Sequence, residues 1–246
     1  MGNVKVNILL LILFWGVGVS VTSGEEDGDN AEEVFQNFTE SFYDCIKDEN
    51  ISYDALHTGL KGYHYLRKSY KLKKKQYLTI VDFSIPSDRE RLFVIDVAKN
   101  QVVHRSLVAH GEESGDRIPT SFSNDHDSHK SSLGFYITGI VYTGKHKESV
   151  KLYGQEKSIN DKAFFRGVVV HRAEYANRSY LDSNNNVLGK SLGCPAVPFK
   201  DYDKLVEMIR DGSCLFIYAP DENYLKTSKI VNSKKGYSNF MEAYNS

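Results

Sequence analysis

Apolar positions recur at helical spacing through residues 30–70. Val34, Phe38, Phe42 and Cys45 form one stripe, and Leu56, Leu60 and Tyr63 a second, the three-to-four-residue rhythm of amphipathic helices. From Tyr77 the pattern changes to short runs rich in Val, Ile, Leu and Phe at 78–83, 92–97 and 101–109, separated by Pro86, Asp88 and Lys99-Asn100. Such runs bounded by turn residues predict strands. Further runs at 134–138, 150–153, 167–171 and 213–218 continue the series, and 199–210 reads as one helix between strands. Beyond Pro220 the chain is polar and reads as a loose tail over 221–246. The pattern predicts a mainly β chain with flanking helices (α+β), a helical segment at 24–75 and a β-rich domain at 76–220.

The first 23 residues differ in kind. Lys5 precedes an unbroken apolar run over 8–19, followed by Ser20-Val21-Thr22-Ser23 and an acidic stretch from Glu25. A membrane span needs about 20 apolar residues, so the run reads as a secretory signal peptide cleaved near Ser23. The alternative is an uncleaved anchor, which would be the chain's one membrane contact. The protein is therefore expected to be exported.

Composition is that of a folded domain, 41% hydrophobic and 12% aromatic, which excludes a disordered chain. A net charge of −1 leaves no basic field for nucleic acid, and Lys71 to Lys75 reads as a solvated stretch. In an oxidising compartment the three cysteines can pair only once. Cys45 and Cys214 read as small buried hydrophobes, and any disulfide is expected to join those two.

Cys194 has the unusual surroundings. An apolar strand ends in His171, and after an Asn-rich loop comes Gly189-Lys190-Ser191-Leu192-Gly193-Cys194-Pro195-Ala196. A cysteine nucleophile needs a base for its proton and N–H groups for the oxyanion that forms on attack. Small residues before the thiol permit a tight turn. By spacing alone, a core histidine and an unrelated free cysteine fit the pattern equally well.

Together with those residues, Gly62-Tyr63, Val81-Asp82-Phe83-Ser84, Leu107-Val108-Ala109-His110-Gly111, the 131–139 segment Ser-Ser-Leu-Gly-Phe-Tyr-Ile-Thr-Gly, Tyr142, Gly144-Lys145-His146 and Asn160-Asp161 resemble, in order, the bacterial L,D-transpeptidases of the YkuD type. The likeness is to the murein L,D-transpeptidase catalytic-domain branch. The resemblance implies a β-sandwich or barrel catalytic domain in which Cys194 is the nucleophile and His171 its base. Ser191, Leu192 and Gly193 form the turn around the sulfur, with N–H groups near Gly193 and Cys194 as the oxyanion hole. Leu192 stands where the wider family often has His, Ala196 where it often has Asn, and Arg172 and Lys147 where the branch often has Gly.

The implied reaction is acyl transfer between peptidoglycan stem peptides, in a bacterial periplasm or cell envelope. It releases D-alanine through a thioester and needs no cofactor. The alternatives are hydrolysis of the same thioester, and an envelope protein that binds peptidoglycan without turnover. A substrate carboxylate needs a cation, for which Arg166, Arg172 and Lys190 are candidates. Tyr142 and His146 are candidates for lining the cleft. Asp125-His126-Asp127-Ser128-His129 resembles a metal-ligand cluster but has no zinc-site spacing, so no metal is expected. The Asn-x-Ser/Thr triplets at Asn37, Asn50 and Asn177 are assigned no role.

Overall fold

The computed structural model describes residues 26–46, 50–69, 71–144 and 147–245. The apolar N-terminal run and His146 lie outside the described residues. Among the described residues, no helix is long and apolar enough to cross a membrane.

Two helices open the chain, α1 (Glu26–Ile46) and α2 (Tyr53–Leu66). The Ser52 hydroxyl accepts from the Ala55 N–H and starts α2. Among the described residues eight strands follow: β1 (Tyr77–Asp82), β2 (Leu92–Asp96), β3 (Gln101–Ser106), β4 (Gly134–Gly144), β5 (Lys147–Gly154), β6 (Val169–Arg172), β7 (Ala196–Val197) and β8 (Cys214–Tyr218). They form one sheet in the order β3-β2-β1-β8-β4-β5-β6-β7. Only β1/β8 and β6/β7 are parallel. A bridge between Ala109, just past β3, and Ala196 of β7 joins the two edges. The sheet is thereby a nearly closed barrel.

Helix α4 (Phe199–Ile209) leads from β7 to β8, after the short α3 (Arg178–Ser183). The sequence pattern found most strands but stopped β4 at Thr138. A bulge between Thr138 and Val141 interrupts the alternation there, and the hairpin with β5 continues past it. β7 has only two residues, too few to carry any periodicity.

Within 221–246, read as a loose tail, residues Glu222–Thr227 and Lys235–Tyr244 instead form α5 and α6. Tyr224, Tyr237 and Phe240 are buried, and the rings of Tyr237 and Phe240 pack on Phe35 of α1 at 5.3 and 5.1 Å. The carboxylate of Glu156, in the barrel, accepts from the Ser228 hydroxyl and from the Tyr224 hydroxyl. Helix α2 fits closely against the sheet because Gly62 faces the Phe135 ring, where a Cβ would overlap it. The terminal helices thus cover one end of the core together. Phe240→Ala should lower unfolding free energy by about 3–5 kcal/mol, as for other buried Phe truncations, read by denaturant titration. A tail would lose nothing measurable.

The three cysteines are unbonded. Cys214 is buried in β8, whereas Cys45 is exposed on α1 and is not the buried hydrophobe expected.

Candidate active site

The segment before Cys194 is pinned from two sides. Ser191 N–H donates to the His110 carbonyl at 2.9 Å, and Glu112 N–H donates back to the Ser191 carbonyl at 2.8 Å. The Ser131 hydroxyl accepts from Gly111 N–H at 3.0 Å and donates to the Gly193 carbonyl at 3.3 Å. Inside the turn, the Ser191 hydroxyl accepts from Gly193 N–H at 3.1 Å and donates to the Cys194 carbonyl at 2.6 Å. Gly193 has φ +117°, and a Cβ there would lie 2.7 Å from the Lys130 carbonyl oxygen, so only glycine fits. Ser191→Ala leaves the Gly193 N–H without a partner. It should lower thermal stability by about 1–3 kcal/mol and change the rate of Cys194 alkylation.

This wiring alters one expectation. The sequence suggests N–H groups near Gly193 and Cys194 as the oxyanion hole, and of these Gly193 N–H is already engaged within the turn. Cys194 N–H has no acceptor among the described residues, and it lies beside the sulfur.

The Cys194 Sγ lies 3.7 Å from the Gly167 carbonyl oxygen, to which a thiol can donate. The N–H of Val169 points at the same sulfur and favours its thiolate, as does the Arg166 guanidinium, but burial outweighs both and pushes the thiol up. The space beside Gly167, at φ +71°, is open, and Cys194 itself is half-buried.

His171 is buried on β6, immediately beside β7, with its register partner at Ala196. Its N–H donates to the Pro195 carbonyl at 3.3 Å, which ties the strand that bears the imidazole to the residue after the cysteine. The His171 Nδ1 lies 3.1 Å from the Arg172 carbonyl oxygen. A carbonyl only accepts, so Nδ1 carries the proton and Nε2 is left as the acceptor. The Tyr175 ring meets the imidazole edge-on at 6.4 Å.

Tyr142 pairs with Ser149, and Ser149 with His171. Directly paired residues share a face, so Tyr142 lies in the same row as the histidine, two strands away. Arg172, the next residue along β6, faces the opposite side. Its guanidinium stacks over Phe199 and Tyr202 and pairs with Glu148 and Asp203 at 3.5 Å each. Lys190 pairs with Asp116 at 2.8 Å. Arg166 is close to the turn but occupied, because it donates to the Ser123 and Lys130 carbonyls and to the Ser128 and Ser132 hydroxyls. None of the three expected cations is therefore free for a substrate. Leu192 is 57% exposed at the tip of the turn. His126 pairs with Asp127 and His129 with Glu112, in separate exposed pairs.

Sequence reasoning missed two features. One is Ser149, between Tyr142 and His171, whose signal was only its place in an apolar-polar alternation. The other is a fully buried guanidinium, Arg91, beneath the turn. It donates to the carbonyls of Val108 and Ile85 and, at 2.8 Å, to Nδ1 of His110, the residue whose carbonyl holds Ser191.

A family model for the L,D-transpeptidase catalytic domain matches residues 47–218. No curated protein sequence matches. Among solved structures, an L,D-transpeptidase from Mycobacterium smegmatis is 12% identical with a TM-score of 0.37, covering 58% of this chain and 59% of that one. An L,D-transpeptidase from Stackebrandtia nassauensis is 13% identical with a TM-score of 0.36, covering 68% of each chain. The helical cell shape determining protein Pgp2 from Campylobacter jejuni is 9% identical with a TM-score of 0.38, covering 76% of this chain and 63% of that one. Likenesses this distant carry no further argument.

Proposed function

We infer function from one premise: this chain belongs to the L,D-transpeptidase catalytic domain family. On that premise, it is an exported enzyme of the bacterial cell envelope that transfers acyl groups between peptidoglycan stem peptides through a thioester on Cys194. The observation that carries the reading is the junction of β6 and β7. There the glycine-dependent turn that carries the cysteine leads into β7, and β6 beside it carries a buried histidine whose Nδ1 faces the Arg172 carbonyl.

In this reading His171 Nε2 takes the thiol proton. The sulfur attacks the carbonyl preceding the terminal D-alanine, and the Cys194 N–H receives the developing oxyanion. The imidazolium returns its proton to the departing amine. Burial that holds the thiol neutral at rest makes this base necessary, because a protonated sulfur is a poor nucleophile. The acceptor amine of a second stem then attacks the thioester; water doing so gives the shortened stem instead.

The test is incubation with purified tetrapeptide muropeptides followed by mass spectrometry. Cross-linked dimers with released D-alanine are expected. Tripeptides alone would identify a hydrolase, and unchanged substrate would point to a binding protein.

A further inference from the structure

The cations nearest the turn are all occupied, yet the leaving residue of the proposed substrate ends in a carboxylate. Lys151 meets the geometric need. It is the register partner of Val169, the residue whose N–H faces the Cys194 sulfur. Antiparallel partners have Cα atoms about 4.5–5.5 Å apart, and their side chains leave the same face of the sheet. Lys151 is therefore on the strand next to β6, with β6 between it and the segment that carries Cys194, in the row adjoining Tyr142, Ser149 and His171.

Its ammonium is held without an acid. The Nζ lies 5.0 Å from the centroid of Tyr142 and 5.5 Å from that of Phe164, and it has no carboxylate partner among the described residues. Ring faces attract the cation but leave its N–H donors unspent. They also restrict a flexible side chain before any ligand arrives, which removes part of the ordering cost of binding. Arg166, Arg172 and Lys190, by contrast, each already have protein acceptors, two of them carboxylate-paired.

We propose that Lys151, braced between Tyr142 and Phe164, is the subsite for a carboxylate of the stem peptide and so sets the preference for acidic over amidated stems. The inference rests on the reading above for its ligand. The terminal D-alanine carboxylate lies only two bonds beyond the scissile nitrogen, and β6 alone separates the strand of this lysine from the segment that bears the sulfur. An internal stem carboxylate would use the same chemistry, and peptides amidated at one place or the other distinguish the two.

The test uses the full chain carrying Cys194→Ala, so that binding is read without turnover. Its affinity for a tetrapeptide stem ending in D-alanine is measured by calorimetry. Adding Lys151→Met should weaken binding about 10- to 100-fold, the span for losing a hydrogen bond to a charged group. Lys151→Arg should restore most of it. The peptide lacking the relevant carboxylate should bind the parent weakly and be insensitive to Lys151→Met. In the active chain, Lys151→Met should raise KM with kcat little changed and leave iodoacetamide alkylation of Cys194 unaltered. Equal losses for acid and amide peptides, no loss at all, or no binding by the parent would overturn the assignment. If the wild-type chain binds with this lysine dependence but turns nothing over, the subsite stands and the proposed reaction falls.

Discussion

Cys194→Ala should form no acyl-enzyme, and His171→Ala should form it about 10²–10⁴-fold more slowly, the usual cost of losing a general base. Alanine offers nothing to attack with, whereas the His171 variant keeps its sulfur. The pH dependence separates the two roles further. Burial raises the Cys194 thiol, against the pull of Val169 N–H and Arg166, so most of the sulfur is protonated at neutral pH. Without the imidazole, reaction must pass through the small thiolate fraction, which grows tenfold per pH unit until the raised thiol is itself titrated. The His171→Ala rate should therefore climb steeply with pH while the parent's does not. The readout is acyl-enzyme mass with a carbapenem, a thiol acylator suggested by the family resemblance. His126→Ala and His129→Ala should acylate at the parent rate, because both side chains are held in separate exposed pairs.

Arg91→Ala should be among the most destabilising substitutions in the chain, by about 3–5 kcal/mol, the usual cost of removing one member of a buried charged network. It leaves the carbonyls of Val108 and Ile85 and Nδ1 of His110 without the donor that Arg91 supplies. Arg91→Lys should recover little, since one ammonium cannot span acceptors that a planar guanidinium reaches together. The same pair gives stability a pH dependence. Burial and the Arg91 charge lower His110 to about 4, below the ordinary 6.5 of an unfolded chain. A lowered histidine contributes stability that is complete above about 6.5 and is lost as pH falls towards 4, because only the unfolded chain then takes up the proton. The loss reaches on the order of 3 kcal/mol. Denaturant midpoints measured from pH 7 to 4 should fall in the parent and fall less in His110→Phe.

The His110 carbonyl holds Ser191, so Arg91 also connects core stability to the geometry of the nucleophile turn. A variant that folds with a displaced turn should lose acylation while keeping its secondary structure.

Much of this architecture was legible in the sequence where one periodicity ran long enough. The apolar stripes of 30–70 became α1 and α2, and the runs at 78–83 and 92–97 became paired strands. The site was legible as local spacing around Cys194 and as a histidine ending a strand. What stayed hidden depended on contacts across the chain. The helix at Lys235–Tyr244 carries a stripe of Tyr237, Phe240, Met241 and Tyr244 that is under three turns long, and its order comes from packing Tyr237 and Phe240 against Phe35. The Gly193 N–H looked available until the Ser191 hydroxyl was found to hold it. Arg172 and Lys190 sat beside the pair in sequence, but strand alternation and the acid at Asp116 took them away from it. Lys151, 43 positions before the cysteine, enters the site only through the register of β5 on β6.

The central claim is a thioester on Cys194. Its most direct measurement is the intact mass of the chain, quenched in acid during reaction with a tetrapeptide stem and then mapped by peptide digestion. The account predicts an adduct equal to the stem minus its terminal D-alanine, placed on Cys194 and absent from Cys194→Ala. Release of D-alanine with no adduct on that residue, or with an unchanged rate in Cys194→Ala, would contradict it.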